Sequence, residues 1–278
     1  MKAQIGLLVE GQMGLNWSRW DRILSMAQRA GYQNVFCSDH FVDPTPPDQD
    51  SLEVWTALTY AATKTSSIEI GPLVSPITFR SPTLLARQAA AVDDLSGGRL
   101  VFGLGAGWQH REHENYAIPF YDQKTRFEML TDALEITQRL FDNAQATTFE
   151  GNHLRVKDAV LLPRPKRRTP ILIGGNGPKR TLPLAARYAD EWNAVYIDAD
   201  EFATKNRHLS TLIEKMGREQ KAVKRSLMLP FQWVQGKKGH DVLAAYVEGG
   251  CERFMIQITE YDDLSPVEDW AAQHLPAF

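Results

Sequence analysis

The segment Gly174-Gly175-Asn176-Gly177 has a composition typical of a loop that binds phosphate. Glycines let the backbone N–H groups of a turn converge on a ligand, and the start of the following helix adds partial positive charge. We therefore expect the N–H groups from Gly175 to Gly177 to donate to an anion. No Gly-Lys-Ser/Thr sequence follows at Walker spacing, which argues against nucleotide triphosphate hydrolysis. A plain left-handed turn between a strand and a helix is the structural alternative.

His40 follows a short apolar run and stands directly after Asp39. A histidine titrates near neutral pH, so at the mouth of an active site it can serve as a general acid or base. Consecutive side chains of a strand leave on opposite sides, so we do not expect Asp39 and His40 to form a catalytic pair. Glu112 is the second candidate for handling protons. A surface histidine without a chemical role is the alternative for His40.

Two other patterns resemble known motifs but have the wrong spacing. The run from Gly103 to Gly107 lacks the third glycine of a dinucleotide fingerprint, because Trp108 stands in its place. Small residues at a strand end instead allow a flat ring to lie close to the backbone, and a tight turn explains the run equally well. The histidines and glutamates of 110–114 fit neither zinc-protease motif, so we predict no metal site and interpret this segment as a solvated polar loop.

The overall composition excludes several classes of protein. The 278 residues include 31 basic and 34 acidic side chains, a net charge of −3, which gives no basic surface for nucleic acid or anionic lipid. No apolar stretch approaches the ~20 residues of a membrane span, and the first residues are interpreted as a strand instead of a signal peptide. Cys37 and Cys251 cannot form a disulfide framework, so we predict a cytoplasmic protein.

Short apolar runs alternate with helical patterns along the whole chain. The runs are rich in valine, isoleucine, leucine and phenylalanine and carry few charges, as strands buried on both faces do. We predict eight strands, at Gln4–Val9, Asn34–Ser38, Ile68–Ser75, Leu100–Leu104, Ile171–Ile173, Glu191–Val195, Leu227–Val234 and Phe254–Ile258. We predict eight helices, at 17–30, 51–64, 82–96, 122–142, 179–189, 200–216, 239–249 and 262–274.

Eight successive strand–helix units predict an α/β fold of a single domain, a closed (β/α)8 TIM barrel. An open doubly wound sheet is the alternative, but the turn at Val9–Gly14 lacks the nucleotide fingerprint that such sheets usually carry. The long connection between strands four and five predicts an extended excursion with a hairpin over Thr147–Val156. Barrel enzymes place their active sites at the C-terminal ends of the strands, where the candidate residues lie.

Several segments of the sequence resemble the bacterial luciferase-like flavin superfamily, and within it the oxidoreductases that use the deazaflavin coenzyme F420. The segments are Ser38–Phe41, Phe79–Pro82, Asp93–Trp108, Ile173–Leu182 and Ala185–Asn193. They follow in order over roughly two-thirds of the chain. The motifs are specific for the superfamily. They indicate much less about which flavin is bound and almost nothing about the substrate.

The resemblance implies a TIM-type barrel that binds F420, or alternatively FMN, in its mouth. It also implies a non-proline cis peptide within Leu73–Ser75, behind the ring, and a histidine near the redox edge of the ring at His40. The Ser75-Pro76 bond is a competing site for the cis peptide, since proline tolerates cis far more easily. Relatives that act on sugar phosphates carry a tryptophan and a carboxylate where this chain has Pro44 and Trp108, which argues against that substrate. The cofactor-binding residues implied are Asp39, His40, Leu73, Val74, Ser75, Gly105, Ala106, Gly107, Trp108, Gly174, Gly175, Asn176 and Gly177.

The predicted function is hydride transfer between F420 and a small organic substrate, with His40, and after it Glu112, handling protons. An FMN-dependent luciferase-like monooxygenase, which must shield a peroxyflavin from water, is the second hypothesis. A barrel that binds flavin without catalysis is the third. We expect a homodimer, as is common in this superfamily, and neither nucleic acid nor a membrane as partner.

Overall fold

The computed structural model describes residues 3–142, 145–236 and 238–277. The strands are β1 (Gln4–Val9), β2 (Asn34–Cys37), β3 (Glu69–Pro72), β4 (Ser75–Pro76), β5 (Phe102–Gly105), β6 (Thr147–Glu150), β7 (Arg155–Ala159), β8 (Ile171–Gly174), β9 (Glu191–Val195), β10 (Lys224–Pro230) and β11 (Arg253–Ile258). The α-helices are α1 (Trp17–Ala30), α2 (Val54–Lys64), α3 (Pro82–Leu95), α4 (His110–Asn115), α5 (Gln123–Asp142), α6 (Thr181–Tyr188), α7 (Ala199–Lys215), α8 (Phe231–Val234), α9 (Gly239–Glu248) and α10 (Ser265–His274). Short 3-10 helices cover Gln220–Ala222 and Leu275–Ala277.

Nine of these strands form one parallel sheet in the order β3-β2-β1-β11-β10-β9-β8-β5-β4. Strands β3 and β4 are two segments of one barrel position, because a parallel bridge between Ile70 and Leu100 joins β3 to the start of β5. The sheet thus closes on itself with eight positions, and the helices pack against its outer face. This confirms the predicted (β/α)8 barrel.

Two predicted strands have different limits in the structure. The predicted strand Ile68–Ser75 is divided into β3 and β4, because the chain leaves the sheet at Leu73 and Val74. The predicted strand Leu227–Val234 is shifted, since β10 ends at Pro230 and the following residues form the helical turn α8. A short apolar run does not by itself distinguish a strand from a helix, and here the chain must turn at the barrel mouth.

Local sequence explains where several helices begin and end. The side chain of Asn16 accepts a hydrogen bond from the N–H of Arg19 and caps α1, which ends at Gly31 in the left-handed conformation. Ser81 caps α3 in the same way, with Pro82 in the first turn. These predicted helix ends are confirmed. No helix in the described parts of the chain is long and apolar enough to span a bilayer.

The predicted excursion between strands four and five of the barrel is also confirmed. It contains α4, α5 and an antiparallel hairpin of β6 and β7. Asp132 on α5 accepts hydrogen bonds from the N–H groups of His153, at 2.7 Å, and Leu154, at 3.0 Å. A Cβ on Gly151 would lie 2.4 Å from the Asp132 carboxyl carbon. The hairpin turn is therefore held against α5, which also lines the barrel mouth.

The interior of the barrel is filled by apolar side chains and closed at its base by ion pairs. The interior cluster consists of Leu8, Phe36, Val101, Leu172, Met228 and Met255. At the base, the fully buried Arg253 donates to Glu191 at 2.9 Å and to Gln4 at 2.8 Å, and also pairs with Glu69. The barrel is thus a packed core, and the site lies at its opposite, C-terminal end.

Candidate active site

A cavity of about 630 Å³ lies at the C-terminal ends of the barrel strands. The predicted site residues that line it are His40, Leu73, Val74, Gly105, Ala106, Gly107, Trp108, Gly174 and Gly175. Five others do not contribute to its lining: Asp39, Ser75, Glu112, Asn176 and Gly177. The structure therefore brings most of the predicted cofactor residues together at one mouth.

Leu73 and Val74 form an apolar platform at the floor of this cavity. The peptide bond between them is cis, in agreement with the prediction for this segment. Two glycines make room for the valine side chain. A Cβ on Gly105 would lie 2.4 Å from Val74 Cγ2, and a Cβ on Gly174 would lie 3.3 Å from Cγ1. The result is an apolar surface, next to open backbone, on which a planar ring can stack.

His40 and Glu112 form a hydrogen-bonded pair at one edge of the platform. The His40 Nδ1 atom lies 2.9 Å and 3.1 Å from the two carboxylate oxygens, and the N–H of Phe41 donates to the same carboxylate at 3.2 Å. Burial lowers the pKa of His40, but the hydrogen bond and charge of Glu112 outweigh it, so the pKa is raised. The contact orients the imidazole and leaves Nε2 to exchange a proton with a ligand.

Glu112 belongs to α4, so the prediction of a solvated loop over 110–114 was wrong for part of this segment. Glu112 and His113 are buried. The His113 ring contacts the Gln109 carbonyl and the Thr78 hydroxyl, each at 2.7 Å. The polar composition concealed this burial, because each of these polar groups has a partner inside the fold. Trp108 precedes the helix, 62% exposed, with its ring edge-on to His40 at 5.5 Å.

The glycine loop after β8 forms the opposite edge of the cavity. The Gly175 N–H donates to the Asn193 carbonyl at 2.9 Å, so the expectation that this group binds a ligand is corrected. The Asn176 side chain bonds to both backbone groups of Val195, at 2.7 Å and 2.9 Å, and fixes the loop. Strand β9 takes up these donors because it extends past the end of β8. Only the backbone beyond Gly175 can donate to a ligand here.

Helix α6 begins at Thr181, later than predicted, and Thr181 lines the cavity. Pro183 lies in its first turn, where the N–H that proline lacks has no helical partner in any case. The helix N-terminus and its threonine hydroxyl therefore face the side of the cavity formed by Gly174 and Gly175. This arrangement favours an anion by its partial charge.

Arg126, on α5, also lines the cavity, and the sequence analysis missed it. The start of α5 contacts the start of α6, because Arg180 donates to Gln123 at 2.7 Å. Its guanidinium donates to the Tyr121 carbonyl at 2.6 Å and lies 4.1 Å from the centre of the Phe120 ring. Arg126 is only 9% exposed, and its Nε atom has no hydrogen-bond partner. The available signal was a charged residue four positions before Leu130, within the apolar stripe of this helix. A buried cation with an unused donor is suited to an anionic ligand.

Asp39 lies beneath the platform and supports it from behind. Arg80 donates to its carboxylate at 2.6 Å and 3.1 Å, and the Ser75 hydroxyl donates at 2.7 Å. The Trp55 indole N–H in turn donates to Ser75 at 3.1 Å. Burial raises the pKa of Asp39, and the charge of Arg80 opposes that shift. Asp39 and Ser75 thus act on the cavity through Val74 and the strand, without contacting its contents.

The fold agrees with the comparison to known proteins. The chain belongs to the family of luciferase-like monooxygenases, whose sequence profile matches residues 4–274. It is 31% identical over 166 residues to an F420-dependent glucose-6-phosphate dehydrogenase of Intrasporangium calvum, across 59% of this chain and 48% of that protein. It is 30% identical over 188 residues to the F420-dependent hydroxymycolic acid dehydrogenase of Mycobacterium tuberculosis, across 66% and 51%.

The chain spans about half the length of these curated relatives. A solved structure of an F420-dependent secondary alcohol dehydrogenase in complex with an F420-acetone adduct is similar over its whole length. The TM-score is 0.89 at 17% identity, with 100% of this chain and 99% of the other covered. This similarity is one of fold, and it agrees with the closed barrel described above.

Proposed function

We propose that this protein is an oxidoreductase that transfers a hydride between coenzyme F420 and a small organic substrate. The observation that carries the proposal is the layout of the cavity. An apolar platform lies between the His40–Glu112 pair at one edge and Arg126 with the α6 N-terminus at the other. This layout suits a planar ring whose side chain ends in an anion. The names of the two F420-dependent relatives support the same cofactor.

F420, when bound, supplies a ring carbon that gives or accepts a hydride. The chain positions and protects that ring. Leu73 and Val74 support one face, and Gly105 keeps the approach open. Arg126 balances the negative charge of the cofactor's side chain. Nε2 of His40 gives or takes the proton of the substrate, while Glu112 holds the imidazole in place and favours its protonated form.

The first experiment compares His40→Gln with the parent protein. We expect cofactor affinity to stay within threefold, while single-turnover hydride transfer falls by about 10²–10⁴, the usual contribution of a general acid or base. His110→Gln is the matched control, because His110 lies on the same helix as Glu112 with an exposed side chain. An equal loss of cofactor binding and hydride transfer would mean that His40 binds the ring. A transfer rate within threefold of the parent would exclude His40 as the general acid or base.

The second experiment tests the anionic end of the cavity. Arg126→Gln should weaken the binding of F420 at least tenfold. It should leave the binding of deazariboflavin, which lacks the phosphate and tail, unchanged. Arg180→Gln is the control, since this arginine bonds to Gln123 at the cavity edge and does not line it. Equal losses for F420 and deazariboflavin would mean that Arg126 holds the shape of the cavity instead of binding an anion.

FMN is the second candidate cofactor, because the family is named for monooxygenases and the same contacts accept its ring and phosphate. Titration of the purified protein with F420 and with FMN, followed by absorbance and fluorescence, distinguishes the two. Tighter binding of FMN, with oxygen consumption when a reductant is present, would favour the monooxygenase. A barrel that binds neither would exclude both functions.

Two further features belong to the proposal. A homodimer is supported by a groove of about 470 Å³ between α1, α2 and α3, lined by Trp17, Tyr60 and Val92, and light scattering of the purified protein tests it. A cytoplasmic location is supported by the free and buried thiols of Cys37 and Cys251, which suit a reducing compartment. Fractionation of the native host tests that location.

A further inference from the structure

Glu10 follows β1 directly and lines the cavity, although only 7% of it is exposed. Its carboxylate accepts hydrogen bonds from the side-chain amide of Gln12 at 3.0 Å and of Gln257 at 2.7 Å. A carboxylate offers about four lone-pair positions, so these two bonds leave it able to accept more. Glu10 is therefore a buried acceptor that faces the contents of the cavity.

Glu10 has no basic partner among the residues that the structure describes. Within the described part of the chain, no lysine, arginine or histidine nitrogen lies within 4.0 Å of its carboxylate. A buried charge without a partner is unfavourable, and a ligand cation that supplies the partner gains more here than at an exposed site. The nearby His40 does not supply it, because its charge is balanced by Glu112 at 2.9 Å.

The position of Glu10 separates it from the anionic end of the cofactor. Strand β1 lies four positions from β8 in the eight-position barrel, so Glu10 and the Gly174 loop face each other across the mouth. Apart from His40, the charged residues that line the cavity are Glu10 and Arg126. An anion held at Arg126 leaves the Glu10 side for the substrate. The cavity thus has a positive end and a negative end.

Two aromatic rings line the cavity together with Glu10. Tyr196 and Trp108 both line the cavity, and their side chains are 42% and 62% exposed. Burial raises the pKa of Tyr196, and the charge of Glu10 adds to this shift, as expected of neighbours. A carboxylate together with aromatic faces is the combination that binds organic cations.

We propose that the substrate carries a cationic nitrogen group, an ammonium or an iminium, which pairs with the Glu10 carboxylate in a cavity that also contains the rings of Tyr196 and Trp108. This inference rests on the proposed function, since it names the substrate class of the same cavity. Anionic substrates such as sugar phosphates are disfavoured by the same carboxylate. Neutral alcohols would use only a hydrogen bond to it and would bind less tightly than cations of the same shape.

The test uses three probes with one ring size and different charges: piperidinium, cyclohexanol and cyclohexanecarboxylate. Their binding to the protein, with and without F420, is measured by tryptophan fluorescence and by thermal shift. We expect piperidinium to bind at least tenfold more tightly than cyclohexanol, and cyclohexanecarboxylate to bind least. Glu10→Gln should remove most of this preference. Glu248→Gln, which removes one charge from the exposed face of α9, should preserve it.

Trp108→Leu is a second variant, at an exposed position. It should weaken the binding of piperidinium more than the binding of cyclohexanol. Equal or tighter binding of cyclohexanol or cyclohexanecarboxylate by the parent protein would overturn the proposal, as would a preference retained in Glu10→Gln. Failure of all three probes to bind would also overturn it. Loss of F420 binding alone would instead refute the proposed function, because the probe preference is measured without cofactor as well.

Discussion

The close approach of Gly105 to Val74 leads to a quantitative prediction for Gly105→Ala. The added Cβ would lie 2.4 Å from Val74 Cγ2, well inside van der Waals contact, and the half-buried Val74 side chain also has Gly174 on its other side. The valine must rotate or the strand must shift, and overpacking of this kind costs about 1–3 kcal/mol of unfolding free energy. Because Val74 forms the platform, we also expect F420 affinity to fall at least tenfold.

Two variants calibrate this effect, with unfolding free energies measured in urea and cofactor affinity by F420 fluorescence. Gly174→Ala brings its Cβ only to 3.3 Å from Val74, so it should cost less than Gly105→Ala. Gly31→Ala adds a Cβ in open space but in the left-handed conformation, at a φ of 86°. It should lose about 1–2 kcal/mol of stability and leave cofactor affinity unchanged.

A double-mutant cycle links the loss to the contact itself. In a Val74→Ala background the clashing Cγ2 atom is gone, so Gly105→Ala should cost less than about 0.5 kcal/mol. The same cost in both backgrounds would refute the contact as the cause. Unchanged stability and affinity in Gly105→Ala would refute the role of the platform in binding the ring.

Three further predictions follow from buried polar contacts and a helix cap. Asp39→Asn should lower the unfolding free energy by about 3 kcal/mol, because it leaves the buried Arg80 side chain with one partner fewer. Asp262→Asn breaks an exposed pair and should lower the unfolding free energy, measured in urea, by at most about 1 kcal/mol. The raised pKa of His40 means that its pair with Glu112 stabilises the fold below the ordinary histidine pKa of about 6.5 and loses this effect as pH rises through the raised value. The difference in unfolding free energy between the parent and Glu112→Gln should therefore shrink with rising pH. It is measured by urea unfolding from about pH 5 to about pH 9 in steps of about one pH unit, and a constant difference would contradict the pairing. Asn16→Ala should lose about 1 kcal/mol, and an unchanged urea midpoint would mean that the cap contributes nothing.

The elements of the barrel were predictable because their signals are local. Buried parallel strands are short apolar runs, and the caps at Asn16, Ser81 and Gly31 are set by residues within one turn. The limits of β3 and β10 were less predictable. Apolar residues continue past the end of each strand, and the turn back to the next helix is imposed by barrel closure instead of by the residues themselves.

The sequence alone was sufficient to predict the fold, the mouth as the place of the site, and His40 and the glycines at the strand ends, because each follows a predicted strand directly. Val74 was implied by the family resemblance instead. The tertiary structure decided which side chains meet there. Glu112 reaches His40 across 72 positions of sequence, and Arg126 and Glu10 face the same cavity from α5 and the end of β1. Such contacts depend on the distance between elements after the barrel has closed. The local sequence pattern of polar residues does not predict that distance. The charge at each end of the cavity was therefore decided by the folded barrel.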